Sequence, residues 1–274
     1  MEIRQLTTIA EFEQVYALEQ QVWGYTSIAD AVPVPILIVS VKTGGLLLGA
    51  FDAGQMVGFA YSLPGYHDGR TFQWSHMLGV VHSHRDKGVG WRLKLEQRRL
   101  TLAAGLELIE WTYDPLQALN AHLNFTKLGI VARQYHQNVY GDSSSPLHKG
   151  TPTDRLIAEW WLRSRRVEER LAAAGDAGGR PPRLDWLATA AAANETCAGA
   201  RWPRPGRLAL DLDAPTLAVA IPSGFTEMQR EDPALALDWR LSTRQVFEAY
   251  LPRYQVTGFA RTEDGGKYLL EVRA

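Results

Sequence analysis

Leu78-Gly79-Val80-Val81-His82-Ser83-His84-Arg85-Asp86-Lys87-Gly88-Val89-Gly90 is the stretch on which the reading of this 274-residue chain turns. The residues before it, Phe72 to Val81, read as a strong strand, and those after it, Val89 to Ala104, as a long helix rich in Leu, Lys, Arg and Gln that Gly105 closes. Between them, glycines at 88 and 90 remove side chains where an anion must approach the backbone, and the first free amides of the helix point at that anion. Arg85, Lys87 and Arg92 add positive charge, and the helix dipole contributes roughly half a unit charge of the same sign. The expected occupant of such a loop is a pyrophosphate.

Working outward, residues 2 to 6 alternate like a strand, and Thr8 opens an amphipathic helix to Trp23. Ile36 to Val41 reads as a short helix after two prolines. Leu46 to Asp52 and Met56 to Leu63 form a hairpin around Asp52-Ala53-Gly54-Gln55, with Pro64-Gly65 expected to end it. Beyond the loop, Glu107 to Tyr113 is a strand. Asp114-Pro115 then supplies an N-cap and first-turn proline for a helix running to Leu128, ended by Gly129. Ile130 to Tyr140 and Asp154 to Leu162 read as two further strands separated by a loop rich in Ser, Pro and Gly. Arg163 to Ala174 is expected to be helical.

Residues 175 to 182 are the best linker candidate, which divides the chain into a domain over 1–165, a helix end and linker over 166–182, and a small α+β module over 183–274. In that module Leu208–Leu212 and Leu217–Pro222 read as strands and Asp232–Leu251 as a helix, followed by a hairpin of Tyr254–Arg261 with Lys267–Arg273. No internal repeat is convincing, although the helix followed by Val256-Thr257-Gly258-Phe259 faintly echoes the helix ending at Gly129.

Composition bounds the function. Hydrophobic residues make up 46% and charged residues 22%, so the chain folds into a globule rather than staying disordered. The 29 Lys and Arg balance 30 Asp and Glu, which argues against nucleic acid as a partner. A single cysteine, Cys197, excludes an intrachain disulfide and fits a cytoplasmic setting. Neither the amino terminus nor the proline-broken run Val32–Val41 reads as a signal or a membrane span. The pair His82 and His84 sits in the expected phosphate loop and no nearby carboxylate completes a likely metal site with it, so no metal is expected.

Arg85-x-x-Gly88-x-Gly90, preceded by Leu78-x-Val80 on a strand and followed by a helix, is similar to the coenzyme A motif of the GNAT (GCN5-related N-acetyltransferase) superfamily, and the element order of residues 1 to 162 resembles the whole GNAT domain. The resemblance implies an α+β fold: a central, mostly antiparallel mixed sheet flanked by helices, with a small α+β module appended. It implies acetyl-CoA as co-substrate, held by Leu78, Gly79, Val80, Arg85, Asp86, Lys87, Gly88, Val89, Gly90 and Trp91. It also places Asn120 where the family commonly has an asparagine contacting the coenzyme. In that family the fourth and fifth strands splay apart and the pantetheine arm lies between them like an added strand; here those would be Phe72–Val81 and Glu107–Tyr113.

An amine attacking a thioester must lose a proton. His76, on the fourth strand where some GNAT enzymes carry a histidine base, is the first candidate; Glu110 on the fifth strand is the reserve. The family's tyrosine acid falls on Phe125 when Lys127-Leu128-Gly129 is aligned with the family's ending, so Tyr113, Tyr135 and Asn124 stand as alternatives. The implied reaction is direct attack of a small-molecule amine on acetyl-CoA in a ternary complex. A non-catalytic acyl-CoA sensor and acylation of a protein amino group remain open. So does the carboxy-terminal module's role: closing over an acceptor pocket, pairing with the first domain, or contacting a second copy in a homodimer.

Overall fold

The computed structural model describes residues 1–24, 30–141, 151–174 and 184–273. The linker expected at 175–182, and most of the loop between the strands at 130–140 and 154–162, lie outside them. The chain divides into two compact units, one built chiefly on Met1–Trp111 and the other on Thr112–Asp142 and His148–Ala274.

In the first unit, β1 (Glu2–Gln5) leads into α1 (Ile9–Trp23), whose start is fixed by a capping box. Thr8 Oγ1 accepts the Glu11 amide at 3.3 Å, and Glu11 accepts the Thr8 amide at 3.0 Å. There follow α2 (Val34–Lys42), β2 (Leu46–Asp52), β3 (Gln55–His67), β4 (Arg70–Val80), a 3-10 turn at His82–His84, α3 (Val89–Ala103) and β5 (Leu108–Tyr113). β1 to β4 are antiparallel in sequence order, and β5 joins β4 in parallel. Phe12, Val15 and Leu18 of α1, Leu37 of α2, Leu47, Phe59, Tyr61 and Met77 of the sheet, and Val89 and Leu93 of α3 form one core.

Pro64-Gly65 does not end β3. The strand runs on to His67 and turns at Asp68-Gly69, both at positive φ (51° and 74°), the conformation that an Asp-Gly hairpin turn requires. Pro64 is tolerated because β2 pairs with β3 only as far as Leu46↔Ser62, so no ladder bond is lost on that edge.

The second unit holds α4 (Ala118–Ala121), a π-helical turn at His122–Leu128, β6 (Val131–His136), β7 (Arg155–Trp161), α5 (Arg165–Ala174), α6 (Trp186–Thr189), β8 (Ala191–Ala192), β9 (Asn194–Cys197), β10 (Arg204–Leu208), β11 (Thr216–Pro222), α7 (Phe225–Glu231), α8 (Pro233–Tyr250), β12 (Tyr254–Thr262) and β13 (Gly265–Val272). Its strands run β7-β6-β12-β13-β11-β8, with β9 and β10 in a separate ribbon. The mixed α+β class is as the sequence implies, with several boundaries corrected. The expected helix to Leu128 starts only at Ala118, because Asp114 accepts the Leu116 amide at 2.9 Å in a turn of its own, and it widens to π geometry before Gly129 (φ 74°) ends it. The strand expected at 208–212 falls earlier, at β10, and α7 was not foreseen. α8 begins where expected, on the Asp232 cap and Pro233.

The compact division differs from the composition break at 166–182. β6 pairs with β12 at Ala132↔Val256, Thr126 Oγ1 donates to Phe259 O at 3.0 Å, and Arg133 Nε donates to Gln255 Oε1 at 2.9 Å. Backbone pairing therefore ties residues before the linker to residues after it. Two helix-then-hairpin pieces, the turn before β6–β7 and α8 before β12–β13, thus stand back to back through β6 and β12.

Candidate functional site

The site is built on β4. Its pairing with β3 shifts register between Tyr61↔Met77 and Ser62↔Ser75, which leaves His76 as the extra residue of a β-bulge. The bulge turns His76 and Met77 to the face that carries Tyr61; the Tyr61 and His76 rings meet edge-on at 6.0 Å. His76 is exposed to solvent, yet the strands around it strip part of its hydration and hold its pKa below the ordinary histidine value. Gly79 lies on the same face, where a Cβ would meet Phe59 and the Trp23 ring at 2.9–3.0 Å.

On its other edge, β4 pairs with β5 only at Gln73↔Ile109 and Trp74↔Glu110. Among the described residues, the edge of Ser75–Val80 away from β3 is paired to no strand, so β4 and β5 fork after Trp74 and Glu110. A strand edge left open in this way presents unpaired amides and carbonyls.

That edge runs straight into the loop. Asp86 has φ +59° and Gly88 φ +75°, two left-handed turns within three residues that curl the backbone before α3. Gly88 takes a conformation that costs a side-chain-bearing residue strain, and it stands as the N-cap of α3. The first intrahelical bond, Arg92 N to Gly88 O at 3.0 Å, leaves the amides of Val89, Gly90 and Trp91 ahead of it at the positive end of the dipole. Arg85, Asp86, Lys87 and Gly88 are exposed, and Arg85 Nε lies 3.4 Å from Val80 O. Arg92 is turned away: its Nη2 donates to Met1 O at 3.1 Å. Of the three cations read near the loop, Arg85 and Lys87 stand in the loop itself. His84 bonds Asp52 through Nε2 at 3.1 Å.

Glu110 is buried on β5 and accepts from His67 Nε2 at 2.8 Å, while His67 Nδ1 lies 3.1 Å from Asp68. The bond to Glu110 raises the His67 pKa. His67 escaped the sequence reading because it lies beyond the proline that was expected to end its strand. Tyr113 is enclosed by the Phe125 ring at 6.1 Å, and burial lifts its phenol well above the usual value. Phe125 is fully buried, touching Tyr268 as well. Tyr135 donates to Asp154 Oδ2 at 2.6 Å, Asn124 is buried, and Asn120 is exposed on α4.

Sequence reasoning also missed Lys94. Its Nζ donates to Ser75 Oγ at 2.8 Å and Gln97 Oε1 at 3.1 Å, and it lies 3.7 Å over the Trp111 ring. Only 4% of the residue is exposed. The available signal was its helical spacing from Val89, Leu93 and Gln97, with which it shares the buried face of α3. Burial lowers its pKa from 10.5 to about 7. The unfolded lysine keeps its proton over that interval and the folded one does not, so stability rises with pH between the two values. Lys94→Met is expected to raise the unfolding free energy by about 2 kcal/mol near pH ~6, with the gain shrinking toward pH ~10. Urea denaturation at both pH values measures it.

No family model matches the chain, and no curated protein matches it. Solved structures similar to it include acetyltransferases. Aminoglycoside 6'-acetyltransferase type Ii is 20% identical, covering 60% of this chain and 99% of its own, at a TM-score of 0.46. The ribosomal-protein-S18-alanine N-acetyltransferase from Escherichia coli is 16% identical over 60% of this chain and 94% of its own, also at 0.46. The NatC complex bound to Gag peptide and CoA is 13% identical over 58% and 98%, again at 0.46. At that depth the likeness assigns neither activity nor acceptor to this chain.

Proposed function

We propose that the chain is an acyl-CoA-dependent N-acyltransferase of the GNAT type, transferring an acetyl group from acetyl-CoA to the amine of a small metabolite. The fork between β4 and β5, whose open edge leads into the doubly left-handed loop and the start of α3, carries this reading. An extended pantetheine arm carries amides that can pair with a free strand edge, and a pyrophosphate suits a helix start flanked by Arg85 and Lys87. One continuous segment, Ser75 to Gly90, thus offers both halves of the coenzyme what each needs.

In the proposed step the amine nitrogen attacks the thioester carbonyl, the carbon–sulfur bond breaks, and the sulfur leaves as thiolate while the nitrogen gives up a proton. His76 is the base: the bulge projects it from the strand that carries the open edge, and its lowered pKa leaves it unprotonated at neutral pH. With Tyr113 enclosed and phenylalanine at 125, the thiolate takes its proton through water. Phenylalanine at 125, where the family's tyrosine would stand, favours one rival, a coenzyme A ester sensor without turnover.

Titration with acetyl-CoA in a calorimeter tests the binding half; no heat with any coenzyme A ester removes both readings. Thiol release across an amine panel separates enzyme from sensor. His76→Ala is expected to lower kcat about a hundredfold with little change in the KM for acetyl-CoA, and to erase the rise in rate that accompanies His76 deprotonation in the acid range. A variant as active as wild type at every pH would take His76 out of the mechanism.

A further inference from the structure

We propose that Lys94 is a positioning residue whose ammonium wedges the fork between β4 and β5 and so sets the edge against which an acyl thioester is presented. The proposal rests on the acyltransferase reading for its consequence, but its geometry stands alone. The last ladder pair is Trp74↔Glu110. The next residue on each strand is Ser75 or Trp111, and Lys94 Nζ touches both, at 2.8 Å from Ser75 Oγ and 3.7 Å from the Trp111 ring centre. Gln97, one turn along α3, closes the triangle by accepting from Nζ at 3.1 Å and donating to Ser75 Oγ at 3.1 Å. Ser75, Lys94 and Gln97 are all buried.

Two strands that part need something between them. An apolar filler would separate them without holding either, whereas the ammonium grips one strand through a hydrogen bond and the other through a cation–π contact. The residue after Ser75 is the bulged His76, so the grip also fixes the base. Buried charge without a carboxylate is costly, and such sites cluster where function demands them. Among the described residues the groups that meet the amine are uncharged: β4 offers Ser75, β5 offers Trp111 and α3 offers Gln97, while Glu110 on β5 bonds His67. A proton lost from Lys94 abolishes the cation–π contact and slackens the fork. The rate is then expected to fall as pH rises through about 7, where burial puts the Lys94 pKa.

The test compares wild type, Lys94→Met and Ser75→Ala. Lys94→Met, folded by circular dichroism, should lose about ten- to a hundredfold in kcat while its KM for acetyl-CoA stays within about threefold, and its pH profile should lack the alkaline descent. Ser75→Ala removes the hydroxyl acceptor of the ammonium, so the descent should move to lower pH. A Lys94→Met enzyme with wild-type kcat, or with the descent intact, overturns the proposal; so does an unmoved descent in Ser75→Ala if the methionine variant fails to fold. The ligand-free protein gives a readout independent of activity: the Trp111 indole resonance should titrate with a midpoint near pH ~7 in wild type and shift that midpoint in Ser75→Ala. A flat Trp111 resonance overturns the wedge, whereas a titrating resonance in a protein that binds no coenzyme A ester leaves the wedge standing and removes only the acyltransferase reading.

Discussion

Gly90→Glu is expected to weaken acetyl-CoA binding at least about a hundredfold, a loss near 2.7 kcal/mol. Gly90 is the second residue of α3, and a Cβ there would approach only the Leu78 Cδ2 atom, at 3.3 Å, the end of a side chain that can shift by a few tenths of an ångström. The backbone needs no left-handed conformation at this position, unlike at Gly88 (φ +75°), so the fold should survive. The glutamate then places a carboxylate at the amides that the proposal gives to the pyrophosphate, and like charges repel where the dipole had favoured an anion. In thermal shift, wild type at a hundredfold excess over its dissociation constant gains about 2.7 kcal/mol, and the variant should gain almost none. Gly90→Ala is the control; it adds bulk without charge and should keep affinity within a few-fold. A folded glutamate variant that binds normally would move the pyrophosphate away from this loop.

The loop was legible because its signals are local. Glycine spacing, cations and the switch from strand to helix period all lie within Leu78–Gly90, and that switch stands as β4 followed by α3. The bulge at His76 was not legible, since it is a mismatch of register between two strands, and neither strand alone carries it. The extent of β3 was misjudged because proline was weighed without knowing that β2 ends short of it. The Lys94 cluster sits in a helix read from its richness in Leu, Lys, Arg and Gln, so a buried lysine there was counted as ordinary helix composition. In the second unit, α8 and the β12–β13 hairpin follow from caps and turn residues, whereas the β6–β12 contact joins residues more than a hundred positions apart, and no local pattern announces it.

Asp114→Ala is expected to destabilise the second unit by about 3–5 kcal/mol, the cost of leaving a buried charge without its partner. Asp114 holds Arg240 through two bonds, Nη1 to Oδ1 at 2.9 Å and Nη2 to Oδ2 at 2.6 Å, and Arg155 lies at 3.8 Å. Arg240 is 1% exposed on α8, so water cannot replace the lost carboxylate. Close by, Asp154 binds Arg244 at 2.8 and 2.9 Å and is already engaged there. Burial pushes the Asp114 carboxyl up, but the Arg240 charge and hydrogen bonds outweigh it, and the pKa ends below the usual aspartate value. A lowered folded pKa means that the pair's stabilisation is full above the unfolded value near ~3.9 and is lost as pH falls through the folded one. Wild type should therefore lose stability on acidification below pH ~4 more steeply than the variant. Denaturant melts across that range measure both effects. The double variant Asp114→Leu with Arg240→Met separates pairing from packing: with both charges gone and the volume kept, most of the loss should return, and a double variant as unstable as Asp114→Ala would show that the carboxylate does more than neutralise Arg240.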